Sequence, residues 1–225
     1  MRVTTIVLAA GEGERLGGPK ALLAWRLEQG ERRPGAEDAA ELPLALAHAA
    51  VRRASESARV VVVVRAAVAE VLAREARRLA EPPEIVVSEA PAEAGPAGSI
   101  GCAVARLAEG ELDGDRDVVL VTPVDVPPAR PDTVVALVRR LEHDGALLAA
   151  RPAHAGRSGH PVALRIAPLL RHYGPRVVAK RPLRTVLAGM KDAVANVVVA
   201  DADVLADLDT GDTLAARGLA ARFIR

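Results

Sequence analysis

A chain of 225 residues, half of them hydrophobic, is long enough to bury a sizeable core as one large α/β domain. Thirty basic side chains against 29 acidic ones leave a net charge of +1, so no global field draws polyanions, and three aromatics (Trp25, Tyr173 and Phe223) offer no stacking platform for single-stranded nucleic acid. One cysteine, Cys102, excludes an intrachain disulfide, and an apolar N-terminal run too short to span a bilayer, without a cleavage region, reads as a cytoplasmic protein bound to no membrane.

In chain order, the β-branched run Val3 to Leu8 predicts a strand feeding a loop with Gly11, Gly13, Gly17 and Gly18, in which Arg15 and Lys20 stand. Ala21 to Trp25 reads as a short extended piece, and the charged, glycine-containing segment Leu27 to Glu41 as a surface excursion. Pro43 to Arg53 has helical periodicity with proline near the first turn. Arg59 to Val64 is a continuous apolar run, as expected of a strand buried on both faces. A helix over Val68 to Leu79 stops at Pro82-Pro83, and Glu84 to Ser88 is a strand. Gly95 to Ser99 leads into a helix over Ile100 to Leu107 that begins at the glycines with Ser99 as N-cap, pointing free amides at the opening loop.

Asp117 to Val121 reads as another buried strand, running into Thr122-Pro123-Val124-Asp125-Val126-Pro127. Pro131 to His143 is a helix and Ala146 to Ala150 a strand. Beyond Arg151 the alternation loosens: a loop at Gly156 to Pro161, a strand at Val162 to Arg165, helices at Ile166 to His172 and Pro182 to Met190, a strand at Ala193 to Ala200, an acidic stretch from Asp201 to Asp212, and a last helix from Thr213 to about Arg222. This pattern predicts a single α/β domain over residues 1–225: a Rossmann-like, mainly parallel sheet flanked by helices, with ligands at the carboxyl ends of its strands.

The opening loop fails both familiar phosphate cradles. A Walker loop needs a hydroxyl after its lysine and a different register, and a dinucleotide fingerprint needs glycines that open directly into a helix, where Pro19 here interrupts. What remains is a glycine-rich loop presenting two cations, Arg15 and Lys20, that can grip a polyphosphate. Asp125, just past a buried strand and between two prolines, suits Mg²⁺, which takes oxygen ligands and holds substrate phosphates; a plain turn uses the same residues. Cys102 has no charged neighbour in sequence and reads as a small apolar group rather than a nucleophile.

Leu8-Ala9-Ala10-Gly11-Glu12-Gly13-Glu14-Arg15-Leu16-Gly17-Gly18-Pro19-Lys20 resembles the signature LAAGxGxRxGxPK of the MobA/MocA-like nucleotidyltransferases, which activate sugar phosphates, isoprenoid precursors and molybdopterin. The resemblance implies that Leu8, Ala9, Ala10, Gly11 and Gly13 bind the incoming nucleotide, with Arg15 and Lys20 offsetting charge on its phosphates during attack at the α-phosphorus. Gly95 to Gly101 is loosely similar to the family's glycine-and-serine segment, which adds Gly98 and Ser99 to the nucleotide contacts. Asp125-Val126-Pro127 matches the family's D-x-P as the metal-binding aspartate for Mg²⁺.

Asp207 to Leu214 resembles a late D-[IV]-[DN]-T-P-E-D-L element with Gly211 in place of proline. Asp209 falls where relatives complete the metal site, while Asp207 reads equally as solvated and Thr210 or Asp212 as helix caps. Gly159-His160-Pro161-Val162 matches a G-[HN]-P-V segment of the molybdenum-cofactor branch, which makes His160 and, from the basic turn Lys180 to Arg184, Arg184 candidate acceptor contacts; solvated surface roles for both stay open. The match is nearest to molybdenum cofactor cytidylyltransferases. It implies Mg²⁺-dependent transfer of a nucleotidyl group, CMP from CTP, to molybdopterin with release of pyrophosphate, and a molybdoenzyme or cofactor-transfer protein as partner. The alternatives are a sugar-phosphate or phosphoalcohol nucleotidyltransferase and a non-catalytic nucleotide-binding protein of the same fold.

Overall fold

The computed structural model describes residues 2–27, 41–54, 59–114, 116–178 and 180–225, so the excursion expected over Leu27 to Glu41 lies outside the described residues except at its two ends. The strands are β1 (Val3–Leu8), β2 (Ala24–Trp25), β3 (Leu42–Pro43), β4 (Arg59–Val64), β5 (Glu84–Val87), β6 (Val118–Pro123), β7 (Ala149–His154), β8 (Arg157–Ser158), β9 (Val162–Arg165) and β10 (Val194–Val198). The helices are α1 (Leu44–Ala54), α2 (Ala66–Ala76), α3 (Gly95–Leu107), α4 (Pro131–His143), α5 (Ile166–Tyr173), α6 (Leu183–Met190) and α7 (Gly211–Ala215).

Eight strands form one sheet in the order β10-β7-β9-β6-β1-β4-β5, with β8 paired on β7, while β2 and β3 form a separate antiparallel pair. Pairing is parallel at β1–β4, β1–β6, β4–β5 and β7–β10, and β9 runs antiparallel to both its neighbours. The expected mainly parallel sheet is therefore the observed one.

The valines of β4 show why it is buried on both sides. Val60, Val62 and Val64 pack with α1 and α2 on one face, while Val61 and Val63 pack with α3 on the other, as the two-residue period of a strand dictates. In β6 the same alternation sends Val118 and Leu120 toward α4, and Val119 and Val121 toward α3 and α5. Because β1 aligns Leu8 with Val63 of β4 and with Pro123 of β6, three central strands end together at one edge. The glycine loop leaves β1 at that edge, and Asp125 follows β6 there.

Three expectations need correction. Ser99 does not cap α3: the helix begins four residues earlier at Gly95, with Pro96 in its first turn and Ala94 at the cap, because proline is pre-set for that position. The strand expected over Ala146 to Ala150 runs instead from Ala149 to His154, since a turn from Asp144 to Leu147 takes up its start and β10 pairs with Arg151 and Pro152 further on. The last helix ends at Ala215 rather than near Arg222; the chain turns at Gly218, with φ +67°, and returns to the segment after the opening loop. Among the described residues no helix is long and apolar enough to cross a membrane.

Candidate active site

Past β1, Gly13 adopts φ +67° and Gly17 φ +78°, and between them Glu14–Leu16 make a single 3₁₀ turn. A side chain at Gly13 would collide with the Gly18 carbonyl, so the left-handed conformation and the close approach both demand glycine there. A second 3₁₀ turn, Lys20–Leu22, is anchored by buried Ala21 and Leu22, which leaves the Lys20 side chain directed back toward the strand ends. The far side of the loop is held by the returning chain: Phe223 packs its ring on Gly18, Ala24 N donates to Arg222 O (2.7 Å), and Ile224 N donates to Leu22 O (2.9 Å).

The chain leaving β6 supplies the carboxylates. Val124 N donates to Leu8 O (3.0 Å), and Asp125 O accepts from Leu208 N (2.7 Å), which brings the 207–209 segment beside the β6 exit. Just beyond, Thr210 and Thr213 form a reciprocal capping box that starts α7 and fixes the chain after Asp209. Carboxylate oxygens of Asp125, Asp207 and Asp209 consequently lie within 4.8 Å of one another. Lys20 Nζ donates to Asp125 Oδ2 at 3.0 Å and to Asp209 Oδ1, while Arg15 Nη1 stands 3.5 Å from Asp209 Oδ2.

Charges in this cluster move one another. Burial disfavours the Lys20 ammonium, but hydrogen bonds and charge from Asp209 and Asp125 outweigh it and hold its pKa above the ordinary lysine value. Asp209 is held below the usual carboxylate value, chiefly by its hydrogen bond from Lys20. Asp207 moves the other way, raised by burial and by the negative charges of Asp209 and Asp125. A set of three crowded carboxylates, all oxygen donors, fits a hard divalent cation.

Arg15, Lys20, Asp125 and Asp209 open on a cavity of about 510 Å³. Of the residues singled out from sequence, Leu8, Ala10, Gly11, Gly13, Arg15, Lys20, Ser99, Asp125 and Asp209 line it. The N-terminal turn of the 13-residue α3 opens on the same space through Gly95, Pro96 and Ser99, an arrangement that favours anions. Ala9 and Gly98 do not line it: Ala9 is buried beneath the loop, and Gly98 is packed where any side chain would press on Ala90 and Ala94. Cys102 is half-buried, its Sγ 3.6 Å from Ser88 Oγ.

The two acceptor candidates are not themselves lining residues. His160 N donates to Val204 O (2.9 Å); burial lowers the imidazole pKa, and the nearby Asp125 charge opposes that shift. Arg184 is exposed in the first turn of α6.

Sequence reading missed Arg65 and the place of Asp207. Arg65 follows β4, lines the cavity and donates to the Ser88 and Ala90 carbonyls. Its signal was its position one residue past a buried parallel strand. Also missed was a charge asymmetry: residues 145–191 contain nine Lys and Arg and neither Asp nor Glu. No ion pair among the described residues uses Arg171, Arg176, Arg181 or Arg184 of that stretch, whereas Arg2, Arg59, Arg106 and Arg217 elsewhere are paired.

The model of the MobA-like NTP transferase domain matches residues 5–193, the span that carries the loop, Lys20 and Asp125. The chain belongs to this family. Asp207 and Asp209 lie beyond the matched residues, and the Leu208–Asp125 hydrogen bond is what ties their segment to Asp125 within the matched span. Among proteins of curated function none matches the chain.

Solved structures share the MobA-like fold at low identity. The homologue of Mycobacterium tuberculosis Rv0371c from Mycobacterium sp. strain JC1 is 22% identical with a TM-score of 0.68, covering 96% of each chain. Rv0371c of M. tuberculosis in complex with manganese is 20% identical with a TM-score of 0.62 over 98% of both chains. The 2-C-methyl-D-erythritol 4-phosphate cytidylyltransferase of Francisella tularensis is 14% identical with a TM-score of 0.61, covering 97% of this chain and 99% of that one.

Proposed function

We propose that this MobA-like NTP transferase moves a nucleotidyl group from an NTP to a phosphorylated small-molecule acceptor, with CMP from CTP and molybdopterin as the specific donor and acceptor. The observation that carries the donor half is the convergence of Lys20 with Asp125 and Asp209 at the mouth of the glycine loop. Transfer consists of in-line attack by an acceptor phosphate oxygen on the α-phosphorus. The new P–O bond forms as the bond to the bridging oxygen breaks, and pyrophosphate leaves. The attacking phosphate is already ionised, so the protein needs no general base and contributes positioning and charge neutralisation.

Lys20 and Arg15 offset phosphate charge from the loop side, and the N-terminus of α3 faces the same cavity. Asp125, with Asp207 and Asp209, would hold a divalent cation, Mg²⁺ in this proposal, which neutralises phosphate charge when bound; the manganese in the Rv0371c complex supports a divalent ion in a protein of this fold. Ala10 lines the cavity, and its methyl group leaves less room for a purine than glycine would, which favours CTP.

Three features support an anionic acceptor: His160 near Asp125, Arg184 exposed at the start of α6, and the acid-free stretch 145–191, in which no ion pair among the described residues uses Arg171, Arg176, Arg181 or Arg184. The Gly159-His160-Pro161 segment favours molybdopterin within that class, with a molybdoenzyme or cofactor-transfer protein to receive the product. A phosphorylated polyol is the second reading, favoured by the shared fold of the Francisella cytidylyltransferase.

Pyrophosphate release, measured for each NTP against molybdopterin, sugar phosphates and methylerythritol phosphate, tests donor and acceptor together. Turnover with CTP and molybdopterin alone is the expected result. Turnover with a polyol phosphate instead selects the second reading, and none with any pair overturns the transferase assignment.

A further inference from the structure

Three consecutive residues at the exit of β6 are each held by a different element. Val124 N donates to Leu8 O at the end of β1, Asp125 O accepts from Leu208 N, and Val126 O accepts from His48 of α1. His48 is fully buried, and its Nε2 lies 2.8 Å from the Val126 carbonyl oxygen. A carbonyl can only accept, so Nε2 carries the proton. The first two bonds tie the loop to segments that themselves form the site. The third ties it to a helix whose Leu44, Ala45 and Ala49 are buried in one core cluster with the β4 valines, making α1 the rigid reference for the loop. Burying an imidazole costs more than burying a hydrocarbon of the same size, and the bond to Val126 is what the fold gains at that position.

We propose that His48 is a positioning residue: through the Val126 carbonyl it fixes the backbone that carries the Asp125 carboxylate toward Asp207 and Asp209. Its role rests on the proposed reading of Asp125 as a metal ligand. Outer partners that orient metal-binding groups typically change affinity by about 10- to 100-fold when removed, and His48 acts one residue further out, through the main chain. Removing the donor therefore weakens metal binding by about tenfold, the low end of that range.

The test is Mn²⁺ binding, read by EPR on the free protein without substrates, in wild type, His48→Met, His48→Gln, Leu46→Ala and Asp125→Ala. Methionine fills the space without a donor, and the Mn²⁺ dissociation constant rises about tenfold. Glutamine carries an amide nitrogen near the position of Nε2 and restores affinity to within about threefold of wild type. Leu46→Ala empties core volume on the same helix; it lowers the melting temperature and leaves Mn²⁺ affinity unchanged. If His48→Met does not fold, His48→Asn, whose amide stops short of Nε2, takes its place.

Wild-type Mn²⁺ affinity in folded His48→Met or His48→Asn, alongside lost affinity in Asp125→Ala, overturns the positioning role alone. Wild-type affinity in Asp125→Ala overturns the metal reading on which it rests. Equal weakening in Leu46→Ala and His48→Met reduces His48 to general packing and overturns the proposal.

Discussion

Lys20 Nζ lies 3.0 Å from Asp125 Oδ2, across 105 residues of sequence, and the same ammonium is bonded to Asp209. The cation proposed for phosphates and the carboxylates proposed for a metal thus form one electrostatic unit, in which loss of one member changes the rest.

Lys20→Ala removes the neutralising charge among three carboxylates. With the Lys20 side chain only 12% exposed, the apo protein loses about 1–2 kcal/mol of stability at neutral pH and low salt. Mg²⁺ recovers most of that loss, because an ion that binds only the native state stabilises it. Thermal melts with and without Mg²⁺ check this; a Lys20→Ala melting temperature equal to wild type in EDTA contradicts the coupling.

Two glycines in the loop separate folding from binding. Gly13→Ala forces a side chain into the Gly18 carbonyl at positive φ and costs about 1–3 kcal/mol in a urea melt. Gly11 has open space where a methyl group would stand and lines the cavity, so Gly11→Ala leaves stability within about 0.5 kcal/mol and raises KM for the NTP.

His48 gives the fold an acid-sensitive point. Burial first, and the neighbouring Arg52 second, push its pKa down to about 3 from an ordinary 6.5. The unfolded chain therefore binds a proton that the folded chain refuses: the neutral ring's contribution is complete above pH 6.5 and is lost progressively as pH falls toward 3. At pH 5 the loss is about 2 kcal/mol, and His48→Gln, which cannot titrate, shows a flatter decline than wild type between pH 6.5 and 5 in paired urea melts. Parallel declines contradict it.

Much of this fold is legible in the residues because local and long-range preferences agree. Arg59–Val64, Pro131–His143 and Val162–Arg165 have the expected bounds, each an apolar run or helical pattern closed by clear punctuation. The site is legible where side-chain chemistry and strand ends coincide, as at Lys20 and Asp125. Asp207 is not: it stands among Asp201, Asp203, Asp209 and Asp212, and it is the backbone bond from Leu208 to Asp125 that brings it beside Asp125 and Asp209. The end of the last helix was hidden for a similar reason, since residues 222–224 bond to 22–24, a pairing that no local pattern announces.

That returning chain predicts a role for Phe223. Its ring packs on Gly18 and its backbone bridges Leu23, so Phe223→Ala costs about 1–3 kcal/mol and loosens the loop. Steady-state kinetics then show KM for the NTP rising more than kcat falls; unchanged KM in a folded variant contradicts the bracing.

The central claim is that Lys20 and Asp125 together form the donor half of a nucleotidyl-transfer site. Pyrophosphate release from CTP in Mg²⁺, with molybdopterin as acceptor, tests it most directly when wild type is compared with Lys20→Ala and Asp125→Ala. Each substitution is predicted to lower kcat/KM by about 10²–10³-fold while the protein stays folded. Wild-type turnover surviving in both folded variants would contradict the account.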